Sequence, residues 1–370
     1  MHLLDEWDKH LESKETRQGQ ISEFEVLTRV HLIGTLDLGC AYLRFWEMPP
    51  TREKTAVRAA YLRTISYLSS EQLGRDFPPK KEQYYLPGGL PNEVVILLTL
   101  FTRAHFVLSR SLKIDEMPHM QRFPGGHEVA RSEIDGQTIK LETVVHYFEM
   151  LKGLRLREKP LTKQDRKRRR VEPFMLAARL YHLALPLIYR DETLAYVCLV
   201  SAIESLLHDY GLDGIKLENW DEKVAQLVQG AVSDPEQYRA IERVLLTPPR
   251  LIKQRFKKFV IEHLSDEFWD DPTRPSRMAL RFKGAAQVEK YVGRIYDARS
   301  STLHKGAPFP PTVPGLNDEV PVGLGKSVGG KKEWKEKELL PSVRAFERLV
   351  HHVLKEYLQR ESALGYKMVP

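Results

Sequence analysis

The sequence predicts a mainly α-helical protein, in which an all-α C-terminal helical bundle follows an α+β N-terminal domain. From about residue 173 onward, apolar residues recur every three or four positions, which is the period of an amphipathic helix. Residues 127–142 form two roughly alternating runs around Asp135-Gly136, a dipeptide suited to a tight hairpin turn. An apolar fraction of 42% and a charged fraction of 29% are ordinary for a globular chain with a buried core. We therefore expect one β-hairpin in the N-terminal domain and helices in the rest.

The N-terminal domain is expected to span residues 1–151. Residues 21–47 and 51–73 have helix-like apolar spacing, and the intervening MPPT enforces a break between them. Residues 76–91 are rich in Pro and Gly and predict a loop. The apolar stretch 93–108 fits a buried helix or a strand, because periodicity does not distinguish the two.

A basic segment at residues 152–172 is predicted to link the two domains. Between Lys152 and Arg170 there are ten Lys or Arg and two acidic residues, so this stretch carries a charge of +8. The net charge of the whole chain is +7, so the remaining residues sum to −1. It is either a self-repelling, extended linker or a nucleic-acid contact, since neutralised phosphates release counterions. The candidate nucleic-acid contacts are Arg166, Lys167, Arg168, Arg169 and Arg170.

The C-terminal domain is expected to span residues 173–370 and to be helical. Asp191 is placed to cap the second of its helices and Gly211 to end it. Residues 305–333 form a long irregular loop before the last helix. The predicted helices cover 173–187, 191–211, 219–232, 235–246, 248–269, 285–304 and 339–361.

Several classes of protein are disfavoured by the composition. The best candidate for a membrane span, residues 93–108, is interrupted by Arg103 and His105, and the acidic N-terminus does not fit a signal peptide. Cys40 and Cys198 have neither metal spacing nor a secretory setting, which favours a reducing cytoplasm. The sequence has no Walker loop, CxxC pair or HExxH, so we expect no cofactor and no metal.

An arginine followed by a histidine in IYDARSSTLHKG, residues 295–306, is the candidate for chemistry. With 31 Arg and 13 His in the chain, about three such pairs are expected by chance, and three occur: Arg122–His127, Arg299–His304 and Arg344–His351. Spacing alone is therefore uninformative, and the context has to decide between them.

Arg299 continues an apolar helical stripe that includes Val292 and Ile295, so its guanidinium needs a partner. His304 lies about 140° further around a regular helix and points away unless the helix unwinds near Leu303. Gly306 is a plausible terminator that allows this unwinding.

This motif, preceded by YVCLVSAIESLLHDYG, resembles the HEPN superfamily and most of all its Apea-like branch. The resemblance covers about residues 173–360 and rests on a tyrosine, an Arg-Ser pair, a histidine after four intervening residues and a glutamate in an earlier helix. These are Tyr296, Arg299, Ser300, His304 and Glu204 here. Lys305 stands where the family commonly has a glycine directly after the histidine.

The resemblance implies a metal-independent endoribonuclease that works as a homodimer or a larger homo-oligomer, with RNA as its substrate. His304 is the expected general base or acid, and Arg299 is expected to hold the scissile phosphate. Attack by the 2′-OH then gives a 2′,3′-cyclic phosphate. Ser300 and Lys305 are expected to support the phosphate, and Glu204 to orient Arg299. The family context suggests a conditional toxin or phage-defence effector, with the N-terminal domain in a sensing or binding role.

Other readings stay open at the level of sequence. Arg299 and Glu204 can form a purely structural ion pair, His304 can be a simple helix-end residue, and Tyr296 can serve packing alone. The same helices then make a catalytically silent module for dimerisation or nucleic-acid binding. A DNA-binding or adaptor protein led by the basic segment is the remaining alternative.

Overall fold

The structure is a computed structural model, and part of the chain is described in it. The described residues are 2–12, 19–45, 57–67, 89–114, 129–156, 170–207, 222–232, 234–245, 251–307, 309–310, 317–321 and 338–366. The chain divides into two compact units, residues 1–190 with 354–370, and residues 191–353. Most of the basic segment 152–172, predicted as a linker, lies outside the described residues.

Unit 1 is built on an antiparallel sheet of five strands in the order β3-β4-β5-β1-β6, and β2 pairs with β7 in parallel separately from it. Its strands are β1 (Gln20–Thr28), β2 (His31–Ile33), β3 (Thr35–Asp37), β4 (Ala41–Phe45), β5 (Arg58–Ser66), β6 (Val107–Ile114) and β7 (Thr138–Lys140). Its helices are α1 (His2–Glu12), α2 (Gly89–Thr102), α3 (Glu142–Leu156) and α4 (Val171–Leu187). The almost entirely buried α2 packs on β5, β6 and α4 and forms the centre of this core.

The helices predicted over 21–47 and 51–73 are wrong, because the described parts of both stretches are strands. Phe24 and Val26 of β1 are buried opposite Leu62 and Ala60 of β5, which is the two-residue period of a sheet with one covered face. Apolar residues two and three positions apart fit both periods in an isolated sequence. Pairing with strands distant in the chain decided between them.

The β-hairpin predicted over 127–142 is also placed wrongly. The turn at Asp135-Gly136 forms, with Gly136 at φ +76°, but residues 129–132 are not a strand. β7 instead joins β2, as His31 N–H donates to the Gln137 carbonyl at 2.8 Å. An antiparallel hairpin does occur in unit 1, between β3 and β4.

Unit 2 is helical in its described residues, as predicted. Its helices are α5 (Glu192–Glu204), α6 (Glu222–Ala231), α7 (Pro235–Leu245), α8 (Ile252–Glu262), α9 (Asp266–Asp270), α10 (Ala285–Lys305) and the first part of α11 (Val343–Tyr366), with a 3-10 turn at Met278–Leu280. The Asp191 carboxylate accepts a hydrogen bond from Leu194 N–H at 3.0 Å and caps α5 as predicted. Gly211, and most of the loop predicted over 305–333, lie outside the described residues.

One buried ionic cluster fixes the irregular part of unit 2. Glu319 is fully buried and accepts hydrogen bonds at 2.7 Å from both Arg274 and Arg348. It also accepts the Phe282 N–H at 2.6 Å. Segment 317–321 is thereby held to α11 and to the chain between α9 and α10. We call these three charged residues the Glu319 cluster.

None of the helices in the described part of the chain combines the length and the apolarity that crossing a bilayer requires.

Candidate active site

Helix α10 carries the candidate catalytic residues, and its sequence explains why Arg299 faces inward. Val288, Val292 and Ile295 are almost completely buried along one side of this 21-residue helix. Arg299 continues that side, and 18% of its side chain is exposed. The predicted position of the arginine at the end of an apolar stripe is confirmed. The guanidinium is half-buried, so it needs a counter-charge from a neighbouring helix.

Glu204, the last residue of α5, supplies that counter-charge. Its Oε2 accepts a hydrogen bond from Arg299 Nη2 at 2.6 Å, and its Oε1 accepts one from the Tyr296 hydroxyl at 3.0 Å. The carboxylate side chain is 20% exposed. The structure thus brings together three of the predicted site residues, although Glu204 and Arg299 are 95 positions apart in the chain. We call them the Glu204 cluster.

The electrostatics of the Glu204 cluster favour a neutral tyrosine and an ion pair. Burial raises the pKa of Tyr296, and the neighbouring Glu204 carboxylate raises it further, so the hydroxyl stays protonated and donates. The Phe256 ring of α8 lies 5.2 Å from the Tyr296 ring and limits its access to water. Tyr296 therefore acts as a fixed hydrogen-bond donor in this arrangement.

The Arg299 guanidinium is only partly used by Glu204. Nη2 is its one nitrogen that donates a hydrogen bond within the described part of the chain, and Nε is buried without a partner. A guanidinium presents five N–H donors in a planar fork. Donors therefore remain for an anion that approaches the exposed edge of the side chain.

His304 lies in the last turn of α10 and is exposed, as is Lys305. The helix continues through Lys305 and ends at Gly306, whose φ of +62° is the left-handed conformation that glycine favours at helix ends. Thr302 secures this end, because its carbonyl accepts the Gly306 N–H at 3.0 Å and its hydroxyl donates to the Ala307 carbonyl at 2.7 Å. The unwinding near Leu303, which would have turned His304 toward Arg299, does not occur.

Within one chain, Arg299 and His304 therefore leave the helix about 140° apart and about 7.5 Å apart along its axis. Leu303, one turn after Arg299 on the same side, is 52% exposed. Ser300 lies between the two directions and is partly exposed. Sequence reasoning had not singled out Leu303, although its spacing of four from Arg299 places both on one face.

The remaining candidates lie elsewhere. Arg166, Lys167, Arg168 and Arg169 are outside the described residues, whereas Arg170 directly precedes α4 and forms an ion pair with Glu361. Arg122 and His127 are also outside the described part of the chain. Arg344 and His351 lie two turns apart on α11. In the Arg299–His304 pair, Arg299 is bonded to Glu204 and His304 is exposed.

No group of three His, Cys, Asp or Glu side chains suited to a metal ion occurs in the described segments.

Comparison with known proteins does not identify the chain. No protein-family model, no curated protein and no solved structure matches it.

Proposed function

We propose that the chain is a metal-independent endoribonuclease of HEPN type that acts as a homodimer. The observation that carries this proposal is the Glu204 cluster, in which Arg299 is oriented by a glutamate while keeping donors for an anion. The exposed His304 at the end of the same helix supplies an imidazole, the side chain most often used as a general acid or base. The resemblance of IYDARSSTLHKG to the HEPN motif adds the reaction class.

The reaction requires no nucleophile from the protein, because the RNA supplies its own. The 2′-OH attacks the adjacent phosphorus, the bond to the 5′-oxygen breaks, and a 2′,3′-cyclic phosphate forms. Arg299 holds the phosphate through its free guanidinium edge and stabilises the charge that develops on it. His304 takes the proton from the 2′-OH or returns one to the leaving 5′-oxygen. Glu204 is a positioning residue for Arg299, and Ser300 and Lys305 support the phosphate.

The angle between Arg299 and His304 is the reason for a dimer. Side chains that diverge by about 140° on one helix do not readily meet at one phosphate. Two chains related by a twofold axis place the same surface of each against the other, so Arg299 of one chain can serve the same phosphate as His304 of its partner. The exposed Leu303 beside Arg299 gives such an interface an apolar contact.

The direct test is cleavage of single-stranded RNA in EDTA by the purified protein. Wild type is expected to cleave and to leave 2′,3′-cyclic phosphate ends, whereas Arg299→Ala and His304→Ala are each expected to lose at least about a hundredfold in rate. Arg344→Ala and His351→Ala, at the other described Arg–His pair on a helix, are the matched controls and should cleave normally.

Mixing the two inactive variants tests the composite site. A heterodimer of Arg299→Ala and His304→Ala retains one complete pair, so random exchange of subunits should restore about a quarter of the wild-type activity. No recovery, in a mixture shown to exchange subunits, contradicts a site shared between chains.

A catalytically silent module is the second candidate, and the Arg299–Glu204 ion pair itself favours it, since such a pair can hold α5 and α10 together without chemistry. Absence of cleavage by wild type over a panel of RNAs, with RNA binding retained, would establish this alternative.

A further inference from the structure

The outer face of α10 is a basic surface that ends at His304. At 100° per residue, Lys290, Arg294, Ser301, His304 and Lys305 fall within an arc of about 100°, opposite the buried stripe that contains Arg299. The surface runs for about 22 Å along the helix axis from Lys290 to Lys305. Lys290, His304 and Lys305 are exposed, and Arg294 and Ser301 are partly exposed. We call this set the α10 outer face.

Two lysines of α8 extend the same surface and neutralise its acids. Lys253 Nζ lies 2.6 Å from Asp297, and Lys257 Nζ lies 2.8 Å from Glu289. Their side chains cross α10 at Gly293, where an added Cβ would lie 3.5 to 3.6 Å from Lys257 Cδ and Lys253 Cε. The glycine thus provides room for both lysine stems. Together the two helices present five cations and two carboxylates here, a net charge of +3 before any contribution from His304.

An aromatic support holds two of these cations in place. The Lys290 ammonium and the Arg294 guanidinium lie 5.8 Å and 5.2 Å from the centre of the Tyr291 ring. Tyr291 is 7% exposed and its ring lies 5.8 Å from that of Phe282. Cations that rest on a fixed ring lose less conformational freedom when they bind an anion.

We propose that the α10 outer face binds the phosphate backbone of single-stranded RNA and leads it to His304. This inference rests on the proposed function, and it adds the surface that binds the RNA and the direction from which the RNA approaches His304. An extended row of cations matches a chain of regularly spaced phosphates. An anionic membrane surface fits less well, because membrane-surface helices carry large apolar residues beside their cations. The arc has none, since its other members are Ala286, Gln287 and Asp297.

The test measures binding of a fluorescent 20-nucleotide single-stranded RNA as a function of salt, in a His304→Ala background that prevents cleavage. Adding Lys290→Gln and Arg294→Gln should reduce the slope of log affinity against log salt by about 1.4, since each lost phosphate contact on a single strand contributes about 0.7. The matched control adds Arg239→Gln and Lys258→Gln, the same charge change on α7 and α8. It should leave the slope unchanged.

Equal slopes in both double variants would overturn the inference. Thermal melting verifies that each variant is folded, and Lys290→Gln alone, which should reduce the slope by about 0.7, replaces the double variant if that one unfolds. Tighter binding of the protein to anionic phosphatidylserine vesicles than to RNA, lost in the Lys290→Gln/Arg294→Gln variant, would also overturn it, in favour of a membrane surface.

Cleavage assays separate this inference from the nuclease proposal. With His304 present, the Lys290→Gln/Arg294→Gln variant should lose more kcat/KM on the 20-mer than on a diribonucleotide, which is too short to occupy the outer face. Salt-dependent binding along α10 without any cleavage by wild type would retain the RNA surface and refute the nuclease. Cleavage with an unaltered salt slope in the variant would do the reverse.

Discussion

Two glutamates of unit 2 each provide the counter-charge for arginine side chains, but they do so in different surroundings. Glu319 accepts hydrogen bonds from Arg274 and Arg348, and Glu204 accepts them from Arg299 and Tyr296. The first carboxylate is 0% exposed, whereas the second is 20% exposed. Each joins chain segments that are far apart in sequence. Glu204 accepts from two residues, and Glu319 accepts from a third, because the Phe282 N–H also donates to it.

The two clusters differ in how many guanidinium nitrogens donate hydrogen bonds. In the Glu319 cluster, Arg274 also donates to the carbonyls of Trp269 and Phe282, and Arg348 to the Thr273 carbonyl and the Asn317 side chain. In the Glu204 cluster, one nitrogen of Arg299 donates a hydrogen bond within the described part of the chain, and 18% of the side chain is exposed. A fully buried network whose polar groups are hydrogen-bonded stabilises a fold, whereas a partly exposed network can also bind a ligand. Exposure of the carboxylate, rather than the kinds of charge, separates the two roles.

The largest effect is expected from Glu319→Gln. The change keeps the shape of the side chain but leaves two buried guanidiniums without a counter-charge, which typically costs about 3–5 kcal/mol of unfolding free energy. Denaturant titration measures this loss, with the exposed Glu267→Gln as a control that should stay within about 0.5 kcal/mol of wild type. A loss below about 1 kcal/mol for Glu319→Gln would show that water or carbonyls already balance the cluster.

Leu303→Asp tests whether the open cluster is completed by a second chain. Burying a leucine is worth about 1.5–3 kcal/mol, so the dimer should dissociate about 10- to 100-fold more readily, as measured by analytical ultracentrifugation. Cleavage should fall at low protein concentration and recover at high concentration. The control is Leu227→Asp on α6, which is 73% exposed. An unchanged dimer constant for Leu303→Asp would remove this contact from the interface.

The two clusters also differ in how well the sequence predicts them. Arg299 and Glu204 both lie on helices with clear apolar periods, so the faces they occupy follow from spacing. Their pairing was expected from the resemblance to the HEPN motif. Glu319 lies in an irregular segment, where no period assigns a direction to a side chain. Its partners depend on the path of the chain between α9 and α10. For the same reason the strands of unit 1 were predicted as helices, since strand pairing is a property of distant residues.

Glu204→Gln tests whether the Glu204 cluster serves cleavage or stability. The amide still accepts from Tyr296 but no longer attracts Arg299 as an anion, so we expect kcat/KM for RNA cleavage to fall about tenfold, or about 1.4 kcal/mol. The unfolding free energy should change by about 1 kcal/mol or less, because water screens a pair that is one-fifth exposed. Glu204→Asp, which keeps the charge, should recover part of the rate. A loss of stability without a loss of cleavage would make the Glu204 cluster as structural as the Glu319 cluster.

The smallest effect on cleavage is expected from Tyr296→Phe, and the pH dependence of this variant identifies the role of the hydroxyl. Removing one donor from a carboxylate that water can reach should cost about 0.5–1.5 kcal/mol, and cleavage should fall only a few-fold. Burial raises the pKa of Tyr296 above its ordinary value of 10, so the folded protein keeps the proton that the unfolded chain loses above pH 10. Wild type should therefore lose unfolding free energy more steeply than Tyr296→Phe as the pH rises past 10, in denaturant titrations at a series of pH values. The pH–rate profile of the variant should keep its shape between pH 5 and 9, because a tyrosine that stays protonated neither takes nor gives the catalytic proton. A limb of the profile that vanishes in Tyr296→Phe would instead make Tyr296, and not His304, the group that exchanges protons with RNA.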